Sequence, residues 1–415
     1  MYARSPFYQK FHRGLTDRSL EELPVLTKAA LMENFDQLVT DPAIRRRDIE
    51  QHLTRTGGRE RYLGRFTVSA TSGSTGQPGL FLFDPSEWGV LLATYVRPGW
   101  WAGVSPPLWR RWRIARLGSP VPWHQTVQVA SSFLSPLVLT RELHATAPLG
   151  SLVTSLNEWQ PDYVSAYTSL ARALAEEQLA GRLRISPQMI GVGAEVLTQE
   201  SRARIEAAWG KVLYDHYGAS ETGILASECP RHAGLHIFDD LTVVEIVDRE
   251  NRPVPPGVFG ERVLVTSLFR RTQPLIRYEI SDLVRLAAGA CPCGRPFRLI
   301  ESIQGRVEET LYFPGSDGNR IAIHPLVFDP VMDSLPASGW QVVQEPGSLD
   351  ILVTGLAPEY PDARIVDALR AALKSHGAQV PEIRLLRVVE IPRGPTGKAP
   401  LIRSNLNREA AGGTG

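Results

Sequence analysis

The sequence predicts an α/β protein with a large N-terminal α/β domain, built on a mostly parallel sheet with a β-rich subregion, and a small C-terminal α+β domain. Three observations predict this class. The 415 residues exceed the usual size of one domain. Short apolar segments alternate with helical segments from residue 151, which is the order of a parallel sheet. After Ile303 the chain changes to short strands, a hairpin, one helix and a final strand.

The elements follow in order along the chain. The first 60 residues are predicted to be helices with polar breaks, and a threonine caps the second of them. A strand then enters the Gly/Ser segment 71–79, and a helix begins near residue 84. Strands and helices alternate over 151–219, whereas 237–303 is rich in strand and turn. The expected divisions are a domain over 1–303, a hinge at 304–308, a second domain over 309–405 and a disordered tail at 406–415.

Composition and charge exclude several classes of protein. Hydrophobic residues make up 43% and charged residues 21%, as in an ordinary globular protein. The formal net charge of +1 gives no reason to expect nucleic acid or an anionic membrane as a partner. The sequence has no basic, apolar leader and no run of about 18 apolar residues, so we expect a cytoplasmic protein without a membrane span. Three cysteines, an odd number, argue against a disulfide framework.

The segment "TSGSTGQPG" at 71–79 has the composition of a loop that wraps a phosphate. Its glycines allow close approach of the backbone, and its N–H and hydroxyl groups can donate to phosphate oxygens. It is not a Walker loop, because no Gly-Lys-Ser/Thr follows. Loops of this composition are common after strands, so the segment alone does not identify a nucleotide site.

Four further segments carry residues suited to chemistry. "YDHYGASETG" at 214–223 holds an aromatic residue, a turn glycine, a hydroxyl and a carboxylate. "PLIRYEISDLVRL" at 274–286 offers Asp282 as an acceptor for a ribose diol, and "GRVEE" adds an arginine. "PRGPTGKAP" at 392–400 presents Lys398, one of only five lysines among 45 Lys and Arg residues.

Taken in order, these segments resemble the adenylate-forming enzyme superfamily, and most closely its phenylacetate–coenzyme A ligase-like branch. The resemblance spans nearly the whole chain. Besides the loop and "YGASETG" it includes "SPFYQKF…LPVLTKAALMENFDQL", "GVGAEVL", "GERVLVTSL…PLIRYEISDL", "CPCGRPFRLIESIQGRVEE" and "TGKAPLIR". One such motif is weak, but seven in the expected order are specific.

The resemblance implies ATP, Mg²⁺ and coenzyme A as ligands, and it assigns roles to single residues. Lys398 would bridge the substrate carboxylate and the α-phosphate. Ser220 would touch the α-phosphate, and Glu221 would hold Mg²⁺. Asp282 would accept from the ribose hydroxyls, with Arg306 beside it. The other implied ATP- and AMP-binding residues, in the phosphate loop and around the adenine, are Thr71, Ser72, Gly73, Ser74, Thr75, Gly76, Gly193, Ala194, Glu195, Tyr217 and Gly218.

Two positions depart from the family pattern. Gln77 stands where many relatives have Lys, and Glu308 stands where an Asp usually marks the hinge. We expect Glu308 to be the pivot about which the small domain swings between two half-reactions. Structural alternatives remain for individual residues: a core aromatic for Tyr217, a turn cap for Asp282, a surface ion pair for Arg306 and a solvated loop lysine for Lys398.

The cysteines predict a metal site. Cys291 and Cys293, in "ACPCGR", cannot readily bridge each other, but they offer two thiolates to one ion. Cys229 and one histidine would complete a Cys₃His set of the kind found in closed structural zinc sites. The resemblance favours His236, because "GLH" leads into a strand as in zinc-bearing members of the branch, and His232 is the rival. Three reduced cysteines without metal are the alternative.

The acid pocket is predicted from the tryptophan-rich segment 88–123, which holds six of the nine tryptophans. Core packing of these tryptophans is the alternative. The expected lining residues are Trp123, His124, Tyr217 and Gly218.

The leading hypothesis is ATP-dependent activation of an aromatic or apolar carboxylic acid as an acyl adenylate, with release of pyrophosphate and transfer of the acyl group to coenzyme A. A second hypothesis keeps the adenylation but has an amine or a carrier-protein thiol as the acceptor. A third is a zinc-stabilised binding protein without catalysis. A homodimer is the assembly that we consider.

Overall fold

The computed structural model describes residues 4–71, 79–104, 109–133, 135–306, 310–315, 319–323 and 327–406, without the side chains of Arg306 and Asp329. Some predicted features lie outside the described residues. They are Ser72, Gly73, Ser74, Thr75, Gly76 and Gln77 of the phosphate loop, the pivot Glu308, and the tail beyond residue 406.

The N-terminal part is helical, as predicted. Its helices are α1 (Pro6–Phe11), α2 (Lys28–Glu33), α3 (Phe35–Leu38) and α4 (Arg46–Thr56), with a 3₁₀ turn at Leu20–Glu22. The predicted cap of the second helix is confirmed, because Thr27 Oγ1 accepts from the N–H of Ala30 at 3.2 Å. The apolar faces of these helices pack into the largest hydrophobic core of the described residues.

The phosphate-loop segment connects the strands of a β-hairpin. β1 (Thr67–Ala70) pairs antiparallel with β2 (Leu80–Phe83), and every residue of both strands is buried. α5 (Pro85–Trp101) begins directly after β2, with Asp84 as its N-cap. The sequence predicted the strand before the loop and the helix after it, but not β2.

Ten strands form one mixed sheet: β3 (Trp112–Gly118), β4 (Val138–His144), β5 (Tyr163–Tyr167), β6 (Met189–Gly193), β7 (Leu213–Ala219), β8 (Gly223–Glu228), β9 (Leu235–Ile237), β11 (Phe259–Gly260), β14 (Asp282–Leu286) and β15 (Leu299–Arg306). Their spatial order is β11-β14-β15-β9-β8-β7-β6-β5-β3-β4. The neighbouring strands β4, β3, β5, β6 and β7 are parallel. The pairings β7–β8, β8–β9, β9–β15, β15–β14 and β14–β11 are antiparallel. The predicted parallel sheet is therefore one half of a larger mixed sheet.

Helices cover one face of the parallel half. They are α7 (Leu149–Trp159), α8 (Thr168–Leu179) and α9 (Gln199–Trp209), and their apolar residues form a core with alternate residues of β3, β5 and β6. The other residues of these strands point to the opposite face, because side chains alternate along a strand. α6 (Gln125–Ser132) begins directly after His124 and packs near β1.

The predicted β-rich subregion continues the antiparallel half. A separate three-stranded antiparallel sheet is formed by β10 (Thr242–Val247), β12 (Arg262–Ser267) and β13 (Tyr278–Ile280). Its apolar residues join the core of the N-terminal helices and of the β1–β2 hairpin. This packing places the segment between β12 and β13 against β2.

The C-terminal part has its own core, drawn from residues 311–402. Its elements are β16 (Leu311–Pro314), β17 (Arg320–Ile323), α10 (Asp329–Met332), β18 (Gly339–Glu345), β19 (Ser348–Thr354), α11 (Asp362–Ser375), β20 (Glu382–Arg387) and β21 (Ile402–Ser404). The four-stranded sheet has the order β20-β19-β18-β21. The predicted hairpin, helix and strand are confirmed, and β21 is an additional edge strand.

The fold is therefore the predicted α/β architecture with a small C-terminal α+β domain. The exact boundaries at 303 and 309 stay predictions. Within the described ranges, no helix combines the length and the apolar composition that a bilayer crossing requires.

Candidate functional site

The candidate site lies at the edge of the sheet where the parallel strands end. In open α/β sheets this edge carries ligand sites. The hairpin turn between β7 and β8 holds Ser220 and Glu221, both half-buried. A Cβ on Gly218 would lie 2.5 Å from the carbonyl oxygen of Gly223, so the turn requires glycine there.

Two residues of the strand-rich region hold Glu221. Tyr278 Oη donates to Glu221 Oε1 at 3.1 Å, and Arg270 Nη1 donates to the Glu221 carbonyl oxygen at 2.5 Å. Contacts to the side chain and to the main chain together fix the direction of the carboxylate. A carboxylate held in this way suits Mg²⁺, which prefers oxygen ligands.

Arg270 is the centre of a buried polar network. It is 0% exposed, and its guanidinium lies 4.1 Å from the centroid of the Phe83 ring. Its Nη2 donates to the Leu82 carbonyl oxygen at 2.7 Å and to Gln273 Oε1 at 2.9 Å. Burial lowers the pKa of Arg270 to about 10, which leaves the side chain charged at neutral pH. Arg270 therefore ties β2, which follows the phosphate loop, to the main chain of Glu221.

Arg270, Gln273 and Glu87 belong to the site although no sequence pattern predicted them. Gln273 Nε2 donates to the main chain of β2 at 2.9 Å. Glu87 Oε1 accepts from the N–H groups of Arg271 and Thr272 at 2.5 and 2.6 Å. The sequence signal was weak, because Arg270 and Arg271 are adjacent and only the fold buries the first and exposes the second.

The residues implied for the adenine and the ribose contact each other. Tyr217 Oη donates to Asp282 Oδ2 at 2.7 Å, and both residues are 8% exposed. Asp282 begins β14 and pairs in register with Arg306 at the end of β15. The fold therefore brings Tyr217, Asp282 and the backbone of Arg306 to one corner of the site.

Close backbone approach shapes the segment after β6. A Cβ on Gly193 would lie 2.6 Å from the His216 carbonyl oxygen, so a larger residue would separate β6 from β7. Ala194 follows with φ of +64°. This left-handed conformation costs a non-glycine residue about 1–2 kcal/mol, and such strain is concentrated at functional sites.

The lysine loop 393–399 docks against this edge through Glu195. The N–H of Ala399 donates to Glu195 Oε1 at 2.7 Å. The N–H of Ser169, at the start of α8, donates to Glu195 Oε2 at 2.8 Å. The Glu195 carboxylate therefore joins the lysine loop to the large sheet, and its implied place beside the adenine stays a prediction.

Lys398 lies near the end of β5. Its Nζ is 5.9 Å from the centroid of the Tyr167 ring, and Tyr167 Oη donates to the Thr396 carbonyl oxygen at 3.2 Å. Burial lowers the pKa of His124 to about 4, and the positive charges of Lys398 and Arg116 act in the same direction. A neutral His124 therefore lies close to Lys398 at neutral pH.

The two neighbouring residues Trp123 and His124 have different surroundings. Trp123 packs against the N-terminal core, with its Cβ 3.0 Å from the position that a Cβ on Gly58 would take. His124 Nε2 is buried and has no hydrogen-bond partner among the described residues. Of this predicted pair, His124 is the residue close to Lys398.

The tryptophan-rich segment does not form a single wall in the described structure. Trp88 and Trp101 belong to two separate apolar clusters, and Trp100 and Trp109 are 76% and 86% exposed. Trp112, on β3, stacks on Tyr163 with ring centroids 5.9 Å apart. Packing thus accounts for most of these residues, and the Trp112–Tyr163 pair is the aromatic surface on the sheet.

The base of the phosphate loop is described, although the loop residues from 72 to 78 are not. The N–H of Thr71 donates to the Gly79 carbonyl oxygen at 3.0 Å, and the N–H of Gly79 donates to Thr71 Oγ1 at 2.8 Å. Lys28 Nζ donates to Thr71 Oγ1 at 3.4 Å. The fold therefore brings a lysine from α2, which the sequence analysis did not select, to the start of the loop.

The predicted metal ligands form one cluster. The ligand atoms of Cys229, His236, Cys291 and Cys293 all lie within 4.8 Å of one another. His232 lies outside this cluster, and its Nδ1 is 3.4 Å from Glu228 Oε2. His236 is therefore the histidine that the fold brings to the three cysteines.

The distances in this cluster fit a tetrahedral zinc site. Zn–S bonds of about 2.3 Å and Zn–N bonds of about 2.0 Å place two sulfurs about 3.8 Å apart and a sulfur and a nitrogen about 3.5 Å apart. The Sγ atoms of Cys229 and Cys291 are 3.7 Å apart, and Cys293 Sγ is 3.3 Å from His236 Nε2. The donor set therefore matches zinc in chemistry and in size.

No family model matches the chain. The phenylacetate–coenzyme A ligase of Thermus thermophilus is 26% identical over 373 residues, which cover 84% of this chain and 76% of that protein. The phenylacetate–coenzyme A ligase of Escherichia coli is 30% identical over 260 residues, which cover 60% of this chain and 56% of that protein.

Solved structures of 2-hydroxyisobutyryl-CoA ligase share the fold. The structure in the postadenylation state, with R3-HIB-AMP, has a TM-score of 0.74 at 19% identity and covers 99% of this chain and 87% of that chain. The structure in the thioesterification state, with 2-HIB-AMP and CoA, has a TM-score of 0.59 at 20% identity, with 99% and 88% covered. The overall arrangement of the chain is thus more similar to the postadenylation structure.

Proposed function

Since the chain belongs to the phenylacetate–coenzyme A ligase-like branch of the adenylate-forming enzymes, we propose that it activates a carboxylic acid with ATP and transfers the acyl group to coenzyme A. The intermediate is an acyl adenylate, and pyrophosphate and AMP are released in turn. We propose an acid with an aromatic or apolar body, because Trp112 and Tyr163 offer a stacked aromatic surface on the sheet.

One observation carries this proposal. The lysine loop is docked at the edge where β5, β6 and β7 end, through Ala399 to Glu195 and through Thr396 to Tyr167. The same edge carries Glu221 in the turn after β7. A cation from the small domain and a carboxylate from the large domain thus share one edge, which is the arrangement that joining two anions requires.

In the first half-reaction, a carboxylate oxygen of the acid attacks the α-phosphorus of ATP. The new O–P bond forms while the bond from the α-phosphorus to the bridging oxygen breaks, and pyrophosphate leaves. Negative charge builds on the phosphoryl oxygens, and fixed positive charge stabilises it. Lys398 would supply that charge next to the acid, and Ser220 would donate to the α-phosphate.

The remaining residues would bind the nucleotide. Asp282 would accept from the ribose hydroxyls, with Tyr217 holding its Oδ2 and Arg306 beside it. The implied residues for the adenine and the phosphates are Thr71 to Gly76, Gly193, Ala194, Glu195 and Gly218. Mg²⁺, bound through the fixed carboxylate of Glu221, would supply Lewis-acid stabilisation of the phosphate charge.

In the second half-reaction, the thiolate of coenzyme A attacks the acyl carbon. The C–S bond forms, the C–O bond to the phosphate breaks, and AMP leaves. The lysine loop would first have to leave the edge, with Glu308 as the pivot. The loop is held by hydrogen bonds to Glu195 and Tyr167, and exchange of such bonds for water has a small net cost.

The proposal is tested by acid-dependent ATP–pyrophosphate exchange over a panel of carboxylic acids. We expect exchange with at least one acid, followed by acyl-CoA formation when coenzyme A is added. Exchange without thioester formation would move the assignment to the amine or carrier-protein acceptor, and both are therefore tested in parallel. Absence of exchange with every acid would favour the non-catalytic binding protein.

We also propose that Cys229, His236, Cys291 and Cys293 hold a structural zinc ion. Three thiolates and one imidazole leave no ligand position for a substrate, so the ion would act on stability. It would join the end of β8, β9 and the loop between β14 and β15. Elemental analysis should give about one zinc per chain. Cys293→Ser should release the metal and lower the midpoint of urea unfolding, with His232→Gln as the matched control.

The cytoplasmic location and the homodimer stay predictions. Sedimentation of the purified protein over a range of concentrations tests the assembly, and fractionation of cells tests the location.

A further inference from the structure

A row of paired residues crosses the parallel half of the sheet, on the face turned away from α7, α8 and α9. The register pairs Glu142 of β4 with Arg116 of β3, Arg116 with Ser165 of β5, Ser165 with Gly191 of β6, and Gly191 with Tyr214 of β7. Paired residues of parallel strands point to the same face. The residues on both sides of Arg116 in β3 belong instead to the core under the helices.

Arg116 is a buried cation in this row. Its side chain is 11% exposed, and its Nη2 forms an ion pair with Glu142. Its Nε and Nη1 are buried and find no acceptor among the described residues. An unsatisfied buried donor costs about 1–3 kcal/mol, and each such group calls for an explanation. Two such nitrogens on one guanidinium point to a ligand that supplies an acceptor.

Apart from Glu142, which pairs with Nη2, the groups around Arg116 are donors or neutral. Tyr95, His124 and Tyr167 all lie within electrostatic reach of its charge. Burial raises the pKa of Tyr167 to about 12, so its phenol keeps its proton. His124 Nε2 is a second buried nitrogen without a partner among the described residues. These surroundings favour an oxygen-rich ligand group over a cationic one.

Gly191 makes room in the same row. A Cβ on Gly191 would lie 2.5 Å from Tyr163 Oη and 2.8 Å from His216 Nε2. Burial raises the pKa of Tyr163 to about 12 and lowers the pKa of His216 to about 4, so both groups are uncharged at neutral pH. His216 Nε2 has no hydrogen-bond partner in the described part of the chain. Polar, uncharged groups thus continue the row beyond Arg116.

We propose that Arg116 binds a second oxygen group of the acid substrate, remote from the carboxylate that is activated. A carboxylate or hydroxyl oxygen would accept from Nε or from Nη1, whose N–H bonds do not converge on one acceptor, and a guanidinium favours an oxyanion. The substrate class is then an acid with an aromatic or apolar body that carries a carboxylate or a hydroxyl at its far end. This inference rests on the proposed function, because it requires an acid between Lys398 and the row.

The test compares phenylacetates that carry a methyl, a hydroxyl or a carboxyl group at the same ring position, for each of the three positions. The rate is followed by ATP–pyrophosphate exchange. At the preferred position, kcat/KM for the hydroxyl or carboxyl compound should exceed that for the methyl compound by about 10- to 100-fold, the effect of one charged hydrogen bond. The methyl and hydroxyl compounds are similar in size, so the comparison isolates the oxygen.

Two variants connect this preference to Arg116. Arg116→Met should reduce the ratio of kcat/KM for the oxygenated compound to kcat/KM for the methyl compound to about one. Gly118→Ala keeps the guanidinium but places a Cβ in collision with Nη1, so it should reduce the ratio as well. Arg113→Met, an exposed arginine on the opposite face of β3, should keep the ratio. Circular dichroism confirms that each variant is folded, and Gly118→Ala carries the test if Arg116→Met does not fold.

The outcomes separate the inference from the proposed function. Exchange with the methyl compounds that equals or exceeds exchange with the oxygenated ones, in a folded enzyme, overturns the inference and leaves the proposed function intact. Equal losses for all acids in Arg116→Met would assign Arg116 to the reacting carboxylate and would also overturn it. Absence of exchange with every acid would overturn the proposed function itself.

Discussion

Glu221 and Lys398 lie at the same edge of the sheet, but the protein holds them in different ways. Glu221 is fixed from within the large core by Tyr278 and by Arg270, which is itself fully buried. Lys398 is brought to the site by a loop of the C-terminal part, through hydrogen bonds to Glu195, Tyr167 and Ser169.

The site therefore has a permanent half, Glu221 with Tyr278 and Arg270, and a reversible half, the lysine loop with Lys398. Breaking the hydrogen bonds of Arg270 would leave carbonyl groups in the core without donors. These hydrogen bonds therefore break only when the protein unfolds. The contacts of the lysine loop use groups that can exchange to water, so they can open while both cores stay intact.

Lys398→Ala should give the largest effect, on the reversible half alone. We expect about a 10³-fold loss of ATP–pyrophosphate exchange, because one preorganised charge is removed from the transition state. Thioester formation from a preformed acyl adenylate should change little, because in the proposed mechanism the lysine loop has then left the edge. Both half-reactions are measured separately, with exposed Lys374→Ala as the control. Equal losses in the two would contradict the two-state assignment.

Arg270→Met should affect the permanent half. The carbonyl oxygens of Glu221 and Leu82 lose their donor, and Oε1 of Gln273 keeps only the N–H of Leu82. We expect a loss of about 3 kcal/mol in the free energy of unfolding, or about 100-fold in the equilibrium constant. Urea unfolding followed by tryptophan fluorescence measures it. Arg271→Met is the control, and equal midpoints for the two variants would show that burial of Arg270 contributes no stability.

Glu195→Gln should weaken the binding of the lysine loop to the large sheet. The glutamine offers one oxygen to the two N–H donors of Ser169 and Ala399, so one hydrogen bond is lost. We expect adenylation to slow by about 10-fold, with thioester formation and the unfolding midpoint nearly unchanged. Glu206→Gln, on the surface of α9, is the control. A loss of stability with no difference between the half-reactions would make Glu195 a purely structural residue.

Lys28→Met should give the smallest effect. Lys28 lies at the base of the phosphate loop, which contains no lysine of its own between 71 and 79. We expect the KM for Mg·ATP to rise by about threefold, the size of one screened charge interaction, while the preference among acids is kept. Lys10→Met is the control. A change in acid preference without a change in the KM for ATP would place Lys28 elsewhere in the mechanism.

Sequence and structure agree where one residue type or one pattern decides the outcome. The alternation of strands and helices gave β5 to β7 and α7 to α9, and the Cys-x-Cys pair led to the metal cluster. Arg116 and Arg270 could not be found in this way, because the chain is rich in arginine and only long-range packing buries these two. β2 was missed because a four-residue apolar strand next to a helix cap has no periodicity of its own.

The lysine loop is bound through two main-chain groups, the Thr396 carbonyl oxygen and the Ala399 N–H, and through the side chain of Arg393, which donates to Ser169 Oγ at 3.1 Å. Gly397 is constrained by space, because its φ is +84° and a Cβ would lie 2.5 Å from Ala145 Cβ. Thr396 is half-buried and contributes only its carbonyl oxygen, so it can vary, whereas Ala399 is 4% exposed and has to stay small. In evolutionary terms, a C-terminal part recombined from a relative would have to bring Arg393, the Gly-Lys pair and a small residue at 399 with it.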